Sequence, residues 1–446
     1  MKSRVCVILC LLTFFGVAMV FVQAQWKPFE LKPLNGFTPV VEKPELTLGN
    51  FASGLYQSDL ERYIGDHLGF REFFIRSYNQ TVYSCFDAIT NDNVVEGRNH
   101  ELFLKMYLDD VTGNSLWGTY DDVETAKADA RKNVEETLRM IDTLRQHGIN
   151  FLFVFAPSKT RVYPEWLPEH YQVFYFSLQE YYIELFKEYG IPHIDFLNYF
   201  RSIKDQVVYP LYTKAGTHWA ASTIPWVADS ILRKMEDLTR YDLPSSQLVD
   251  TCVTTDYYIM DKELEGQMNL LFPLPKSPLP NPTFIYTDTL DKDRPGLLIV
   301  GDSYSNQLVY SGFGKVFDHW DLWMYNKDVY SSRPRYKWVE LKKELDAANM
   351  LYEADVVMAV FTAPMYYNYM FGFPKTVQQI YNTGFVDDDE ALLTIVDMIK
   401  HDSTWYQGVV DQAEKRNITV DQSIMDNARY HMEFKRELNL QKTKRP

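Results

Sequence analysis

The sequence is poor in cysteine, and the few cysteines present limit the chemistry open to it. Four cysteines occur in 446 residues. Cys6 and Cys10 lie in an N-terminal apolar run, which leaves Cys85 and Cys252 as one possible disulfide in an oxidising compartment. Cys-x-x-Cys, His-x-His and His-Glu-x-x-His groupings are absent from the sequence. The sequence therefore predicts neither a metal site nor a bound cofactor.

Basic residues are also in short supply. The 45 lysines and arginines face 60 aspartates and glutamates, which gives a net charge of −15. A field of that sign repels a phosphate backbone, so nucleic acid is excluded as a partner. Aromatic residues, by contrast, are abundant at 15%. Such a surplus lines sugar-binding clefts in some proteins and fills the core in others.

The N-terminus carries a segment typical of export. Lys2 and Arg4 precede an apolar run from Val5 to Val22, and residues 1–25 are predicted to be a signal peptide or a signal anchor. Cleavage after Ala24 is one interpretation. The other, which we favour, is an uncleaved anchor, because the run approaches the ~20 residues that span a bilayer. Both place the rest of the chain outside the cytoplasm.

The remaining chain divides by composition into a linker and a domain. Residues 26–57 contain four prolines without an apolar period and are predicted to be an extended linker. From 58 to 365, apolar runs alternate with amphipathic stretches, which predicts an α/β domain with a mainly parallel sheet. A proline-rich, loop-like insertion is expected around 250–295, and a helical C-terminal extension over 366–446. The predicted buried strands are 150–155, 193–196, 297–300, 321–325 and 355–361.

One serine follows a predicted strand. Leu297-Leu298-Ile299-Val300 runs directly into Gly301-Asp302-Ser303, which places Ser303 at the carboxyl edge of the sheet, where α/β proteins bind ligands. The same position suits a serine that only caps the next helix. The sequence around Ser303 leaves both interpretations open.

A histidine motif lies upstream of this serine. Of the nine histidines, only His218 has a setting that resembles a site, within Thr217-His218-Trp219 at the start of an alanine-rich helix. A serine hydroxyl needs such a base within hydrogen-bond reach to become a nucleophile. A capping or surface histidine remains the alternative.

Together these motifs resemble a known family. Gly301-Asp302-Ser303-Tyr304-Ser305 preceded by Thr-His-Trp resembles the SGNH-hydrolase-like domains of the alginate O-acetyltransferase (DHHW) group of bacterial envelope proteins. The further matches, in the same order as in that family, are Asp66–Glu72, Phe155–Lys159, Tyr163–Pro168 and Tyr325-Asn326.

The resemblance implies a three-layer α/β fold, Ser303 as nucleophile and His218 as general base. The backbone N–H of Ser303 would contribute to an oxyanion hole. At one position the chain departs from the family, because the aspartate that would orient the histidine falls on Gly216. Either a backbone carbonyl or an acid from elsewhere orients His218, or activity is weak, or the domain only binds.

Four more residues are candidates for supporting roles. Asn326 is a candidate second oxyanion donor or a turn residue, and Asp302 is expected to brace the serine loop. Lys159 and Tyr163 are candidates to face the cleft, although Pro164 marks a turn that would attract a tyrosine anyway.

The expected function is O-acetylation of a cell-surface or secreted polysaccharide through an acyl-serine intermediate. A membrane-bound O-acyltransferase is the partner that the resemblance implies as acetyl source. The alternatives are a carbohydrate acetyl-esterase, in which water replaces the sugar as acceptor, and a non-catalytic polysaccharide-binding component.

Overall fold

The computed structural model describes residues 2–36, 41–287, 291–333 and 339–442. Small parts of the predicted linker (37–40), of the insertion (288–290) and of the domain (334–338) therefore lie outside the described residues, as do residue 1 and the last four residues of the predicted C-terminal extension.

Helices and strands alternate through most of the described chain. The strands are β1 (Val94–Glu96), β2 (Leu102–Leu104), β3 (Asn150–Phe155), β4 (His193–Asp195), β5 (Ser245–Thr254), β6 (Leu279–Thr287), β7 (Leu297–Gly301), β8 (Trp320–Met324), β9 (Asp328–Ser331), β10 (Val339–Glu340) and β11 (Val356–Phe361). The α-helices are α1 (Lys2–Trp26), α2 (Leu48–Ser53), α3 (Leu55–Asp66), α4 (Arg71–Phe86), α5 (Lys105–Val111), α6 (Asn114–Trp117), α7 (Val123–Gln146), α8 (Lys159–Val162), α9 (Leu178–Glu188), α10 (Phe196–Ile203), α11 (Ile224–Thr239), α12 (Glu263–Met268), α13 (Tyr304–Tyr310), α14 (Ala347–Tyr352), α15 (Phe373–Thr383), α16 (Asp388–His401), α17 (Ser403–Arg416) and α18 (Val420–Lys442).

A seven-stranded sheet forms the centre of the molecule, in the order β10-β9-β8-β7-β11-β3-β4. The five strands from β8 to β4 pair in parallel, and β9 and β10 add an antiparallel edge. Every residue of β7 and of β11 is buried, as expected for near-continuous apolar strands that are covered on both faces. The predicted α/β class and mainly parallel sheet are confirmed.

Amphipathic helices cover this sheet. In α7, Ala126, Ala130 and Val134 are buried at helical spacing, and the Asp122 side chain caps the helix by accepting a hydrogen bond from the backbone N–H of Thr125. This helix packs with α9 and α15, whereas α11 packs with α13 and β3. The two groups share one large hydrophobic core with the sheet.

The proline-rich segment differs from the loop-like insertion that we predicted. Strands β5 and β6 form a separate antiparallel pair in which Pro282 lies opposite Thr251 and Pro280 opposite Val253. Because the pair has only two strands, each keeps a free edge on which a residue without an N–H is tolerated. Strand β6 packs against the turn at 221–223, so this hairpin lies beside the His218 loop, and α12 belongs to its connection.

The C-terminal helices have their own small core. Ile395, Ile399, Val409 and Ile424 pack together between α16, α17 and α18. The large core of the sheet continues past the predicted boundary at 365 as far as Ile380. Residues 366–380 therefore belong to the core of the sheet, although α15 also contacts α18.

Helix α1 is the one described helix that is long and apolar enough, over Cys6–Trp26, to cross a membrane. A cleaved export signal has the same length and composition, so both interpretations of this segment stay predictions. Cys85 and Cys252 are both exposed free thiols.

Candidate active site

Ser303 lies where the sequence places it, between the end of β7 and the first residue of α13. It occupies the N-cap position of that helix, but its side chain makes no capping hydrogen bond. Instead, the Ser303 Oγ lies 2.8 Å from the Nε2 of His218. The serine hydroxyl therefore faces the histidine and not the helix end.

His218 reaches the serine from a tightly held loop. The loop is closed by an isolated antiparallel bridge between Tyr212 and Trp219, and the Tyr304 hydroxyl donates to the Thr217 carbonyl at 2.8 Å. The His218 ring packs against the Tyr304 ring, with 4.7 Å between centroids. Only 7% of His218 is exposed, so the imidazole is held in one orientation.

A carboxylate completes the arrangement on the other side of the ring. The Glu263 Oε1 lies 2.7 Å from the Nδ1 of His218 and also accepts a hydrogen bond from the Thr217 N–H at 2.8 Å. A carboxylate at Nδ1 favours the tautomer with its proton there, which leaves Nε2 free to accept the serine proton. Sequence reasoning missed Glu263, which begins α12 and carries no motif of its own.

Gly216 explains how Glu263 comes so close. A Cβ at Gly216 would lie 2.6 Å from the Thr213 Oγ1 and 2.9 Å from the Met260 carbonyl oxygen. The glycine thus allows the segment before α12 to pack directly on the histidine loop. An aspartate at 216 would collide with the backbone that positions Glu263, so the missing aspartate and the nearby glutamate are one structural feature.

Lys159 lies beneath the histidine loop. Its Nζ donates to the carbonyls of Leu102 (3.0 Å), Thr213 (2.8 Å) and Lys214 (3.0 Å) and pairs with the Glu101 Oε2 at 2.9 Å. Burial lowers the pKa of Lys159, while Glu101 acts in the opposite direction. The lysine therefore anchors the loop from below instead of facing the cleft.

Tyr163 also has a supporting place. Its ring stacks on Trp166 with 3.7 Å between centroids, its hydroxyl accepts from the Leu211 N–H at 3.4 Å, and 4% of the residue is exposed. It lies under the start of the histidine loop, away from Ser303.

Asp302 braces the serine loop, as its place in the motif suggests. Its two carboxylate oxygens accept from the backbone N–H of Tyr304 (2.9 Å) and of Thr362 (2.7 Å). These bonds tie the end of β7 to the end of β11. Burial raises the pKa of Asp302 to about 6, although both hydrogen bonds act in the opposite direction.

The two residues after β8 have different environments. The Nδ2 of Asn326 donates to the Phe371 carbonyl (3.0 Å) and to the Thr376 Oγ1 (2.8 Å), so this amide is already engaged. Asn326 adopts a left-handed turn conformation with φ of 50°. Tyr325 instead lines the cleft with Ser303. Burial and the Asp302 carboxylate raise the pKa of Tyr325, whereas the hydroxyl and backbone N–H of Ser303 lower it, so the phenol lies beside the serine and stays protonated at neutral pH.

The cleft over these groups is a small cavity. Its volume is about 270 Å³, and Ser303, His218, Glu263 and Tyr325 line it together with apolar side chains such as Met260. Within the described ranges, no three His, Cys, Asp or Glu side chains form a group that could hold a metal ion. The arrangement suits acyl transfer by a serine nucleophile.

Comparison with known proteins gives a match over part of the chain. Residues 116–315 match a family model described as ALGX, the SGNH hydrolase-like domain of the acetyltransferase AlgX. The matched segment includes Ser303, His218 and Glu263. No curated protein matches the sequence.

Several solved structures are similar over much of the chain. The O-acetyltransferase domain of Pseudomonas putida AlgJ is 17% identical, with 65% of this chain and 99% of that chain covered and a TM-score of 0.41. Pseudomonas aeruginosa AlgX is 13% identical, with coverage of 63% and 67% and a TM-score of 0.39. Bacillus cereus PatB1 with a sulfonyl adduct is 12% identical, with coverage of 55% and 93% and a TM-score of 0.36. Likeness at this level assigns no role to any residue of this chain.

Proposed function

We propose that this chain, whose residues 116–315 match the model of an SGNH hydrolase-like acetyltransferase domain, transfers acetyl groups to polysaccharide hydroxyls through an acyl-Ser303 intermediate. One observation carries the proposal. Glu263, His218 and Ser303 form a continuous hydrogen-bonded line, with contacts of 2.7 Å and 2.8 Å. Such a line of acid, imidazole and hydroxyl is what a serine needs to act as a nucleophile at neutral pH.

Formation of the acyl-enzyme would use Ser303, His218, Glu263 and Tyr325. The Ser303 Oγ attacks the acyl carbon of the donor while its proton passes to the Nε2 of His218. The negative charge that develops on the acyl oxygen is met by the Ser303 N–H and the Tyr325 hydroxyl. The imidazolium, held by Glu263, then gives its proton to the leaving group, and the acyl–Ser303 ester remains.

The second half of the reaction reverses these roles. The Nε2 of His218 takes the proton of a sugar hydroxyl, whose oxygen attacks the acyl carbon of the ester. The bond to the Ser303 Oγ breaks, and the serine oxygen recovers its proton from His218. With water as the acceptor, the same steps make an acetyl-esterase. The two enzymes differ only in what occupies the acceptor position.

Glu263 argues against the non-catalytic alternative. A domain that only binds polysaccharide has no need to keep an imidazole between a carboxylate and a serine hydroxyl. The site has lost the family aspartate at Gly216, yet a second carboxylate occupies the place at Nδ1. Retention of that contact favours an enzyme.

The proposal includes a place in the cell. The apolar helix α1 would anchor or export the chain, which puts the active site in the periplasm or cell envelope. Acetyl groups would then reach it from the cytoplasm through a membrane-bound O-acyltransferase.

The nucleophile can be tested directly with the full chain in detergent. We expect wild type to hydrolyse an aryl acetate, and an arylsulfonyl fluoride to leave its adduct on Ser303 in peptide mass spectra. Ser303→Ala should remove both signals, whereas Ser202→Ala, at an exposed serine, should keep both. Turnover of Ser303→Ala at the wild-type rate, or no turnover by wild type, would refute the proposal. Masses of the products formed with an oligosaccharide present separate transferase from esterase.

A further inference from the structure

A second cavity adjoins the catalytic cleft. Its volume is about 480 Å³, which is larger than the cleft itself. Met260 lines both cavities, so a chain molecule can occupy one and enter the other. We call this second cavity the hairpin groove, because Thr283 and Phe284 of β6 form one of its walls.

The opposite wall belongs to the helix that follows the nucleophile. Gln307 and Tyr310 line the groove and follow Ser303 by four and seven residues. That spacing puts all three on one side of α13 and its cap. The groove therefore runs away from Ser303 along α13, between this helix and the β5–β6 hairpin.

The lining chemistry is that of a sugar site. Tyr310 is 78% exposed and Tyr258 is 54% exposed, so two rings are free to stack on the apolar faces of pyranose units. Gln307 is only 6% exposed, and its Oε1 has no hydrogen-bond partner among the described residues. A buried acceptor without a partner is costly unless a ligand supplies a donor, such as a hydroxyl. Apolar walls with a few placed polar groups are typical of ligand sites.

The groove is also uncharged. Although the chain carries a net charge of −15, no charged side chain lines the groove within the described residues. A uronate or phosphate group would find no cation there. A neutral sugar has no charge to desolvate when it enters the groove, whereas a uronate does. We therefore expect the groove to bind neutral sugars more tightly than charged ones.

A third cavity, of about 740 Å³ on the other side of Glu263, is a weaker candidate for the substrate. Three of the four cationic side chains that line it are already engaged by the protein. The Arg76 guanidinium donates to the Pro33 carbonyl at 2.7 Å, Lys276 pairs with Glu265 at 3.4 Å, and Lys262 pairs with Asp256 at 3.4 Å.

We infer that the hairpin groove is the acceptor subsite, and that it binds neutral sugar units of the polysaccharide. The inference rests on the proposed function, because an acceptor subsite has a role only if Ser303 carries an acyl group. Neutral units would stack on Tyr310 and Tyr258 and donate a hydroxyl to the Gln307 Oε1. The next unit of the chain would then pass Met260 and present a hydroxyl to the acyl carbon.

Binding can be measured without catalysis. In the full-length Ser303→Ala protein, calorimetry would compare neutral hexasaccharides (gluco-, manno- and galacto-configured, and chitohexaose) with hexagalacturonate. We expect at least one neutral chain to bind more tightly than the uronate. Adding Tyr310→Ala should weaken that binding by about tenfold, or ~1.4 kcal/mol, and Gln307→Leu should weaken it severalfold. Tyr430→Ala, which removes a tyrosine of 77% exposure on α18, should change nothing.

Three outcomes would overturn the inference: no neutral chain binds, the uronate binds best, or Tyr310→Ala and Tyr430→Ala bind alike. A kinetic measurement separates failure of the inference from failure of the proposed function. With aryl acetate as donor and the preferred hexasaccharide as acceptor, Tyr310→Ala should lower the ratio of transfer to hydrolysis. If wild type is active and Tyr310→Ala leaves the ratio unchanged, only the assignment of the acceptor subsite is refuted. If wild type is inactive, the proposed function itself is refuted.

Discussion

Glu263 approaches His218 from the side of the ring opposite Ser303, with 2.7 Å between Oε1 and Nδ1 and 2.8 Å between Nε2 and the serine Oγ. The acid comes from the connection between β5 and β6, while the histidine comes from the loop before α11. A carboxylate 45 residues away in sequence thus takes the place at Nδ1 from which an acid orients an imidazole.

Glu263→Gln tests this contact. The Glu263 Oε1 contacts both the Thr217 N–H and the His218 Nδ1, and the amide oxygen of glutamine can take the same place, so we expect the fold to remain. The negative charge that stabilises the imidazolium during proton transfer is lost, however. By analogy with loss of the acid in a serine-protease triad, kcat for an aryl acetate should fall by about 10²- to 10⁴-fold.

Glu265→Gln is the matched control for this change. It removes the same charge from the same helix, but Glu265 pairs with Lys276 and not with His218. We expect its kcat to equal that of wild type. Equal rates for Glu263→Gln and Glu265→Gln would show that Glu263 does not orient the histidine.

The sequence predicted the parts of the site that are encoded locally. An apolar strand followed by Gly301-Asp302-Ser303 places the serine at the sheet edge, because a parallel strand and its following turn need only neighbouring residues. His218 was found in the same way, from its own short motif. Glu263 could not be predicted from a local motif. Its contact with His218 depends on how the segment at 260–263 packs on Gly216, and no local pattern encodes that packing.

The same distinction holds for the fold. Continuous apolar runs predicted the strands of the parallel sheet, since burial on both faces leaves a strong composition signal. The β5–β6 pair was missed because its prolines resemble those of a loop, and because its strands are mostly exposed or half-buried, which leaves little apolar signal. Asn326 and Tyr325 show the limit at the site: the order of the motif was clear, but which of the two side chains turns toward Ser303 depends on packing against 371–376.

Gly216→Ala should disturb the site through packing alone. The new Cβ would lie 2.9 Å from the Met260 carbonyl oxygen and 2.6 Å from the Thr213 Oγ1, so the segment that carries Glu263 must move. We expect a loss of about 1–3 kcal/mol in the free energy of unfolding and a clear fall in kcat. Urea denaturation and aryl acetate hydrolysis would measure both.

Gly408→Ala provides the comparison, since a Cβ there meets nothing within 4 Å inside α17. It should stabilise the protein by up to ~1 kcal/mol, because alanine is the better helix former. If Gly216→Ala were as harmless as Gly408→Ala, close packing at Gly216 would not be what positions Glu263.

Tyr325→Phe tests the second oxyanion donor. The phenol lines the cleft beside Ser303, and its raised pKa keeps it protonated at neutral pH. Removal of one such donor lowers kcat by about 10²- to 10³-fold in a known serine hydrolase, and we expect a fall of this order with little change in KM. Tyr430→Phe on α18 is the control. If Tyr325→Phe raises KM and leaves kcat unchanged, Tyr325 binds the substrate and does not stabilise the oxyanion.

Asp261 should make the stability of the protein depend on pH in an unusual direction. It is 5% exposed, its Oδ1 accepts from the Ala221 N–H at 3.1 Å, and burial raises its pKa from 3.8 to about 7. Glu263 also raises this pKa, whereas the Ala221 hydrogen bond, His218 and Lys262 lower it. Between these two pKa values the folded state holds a proton that the unfolded state has released. The contribution of Asp261 to stability is therefore full below about pH 4 and is lost as the pH rises through about 7.

Asp261→Asn removes this dependence while an amide oxygen can still accept the Ala221 N–H. Because one pKa unit corresponds to about 1.4 kcal/mol, wild type should lose roughly 2–3 kcal/mol relative to the variant between pH 5 and pH 8. Urea denaturation of both proteins at the two pH values measures the difference, in which the titration of groups that do not interact with Asp261 cancels. Asp411→Asn, at an exposed position, should leave the pH dependence of wild type unchanged. Parallel curves for wild type and Asp261→Asn would mean that the Asp261 carboxyl is already ionised in the folded protein at pH 5.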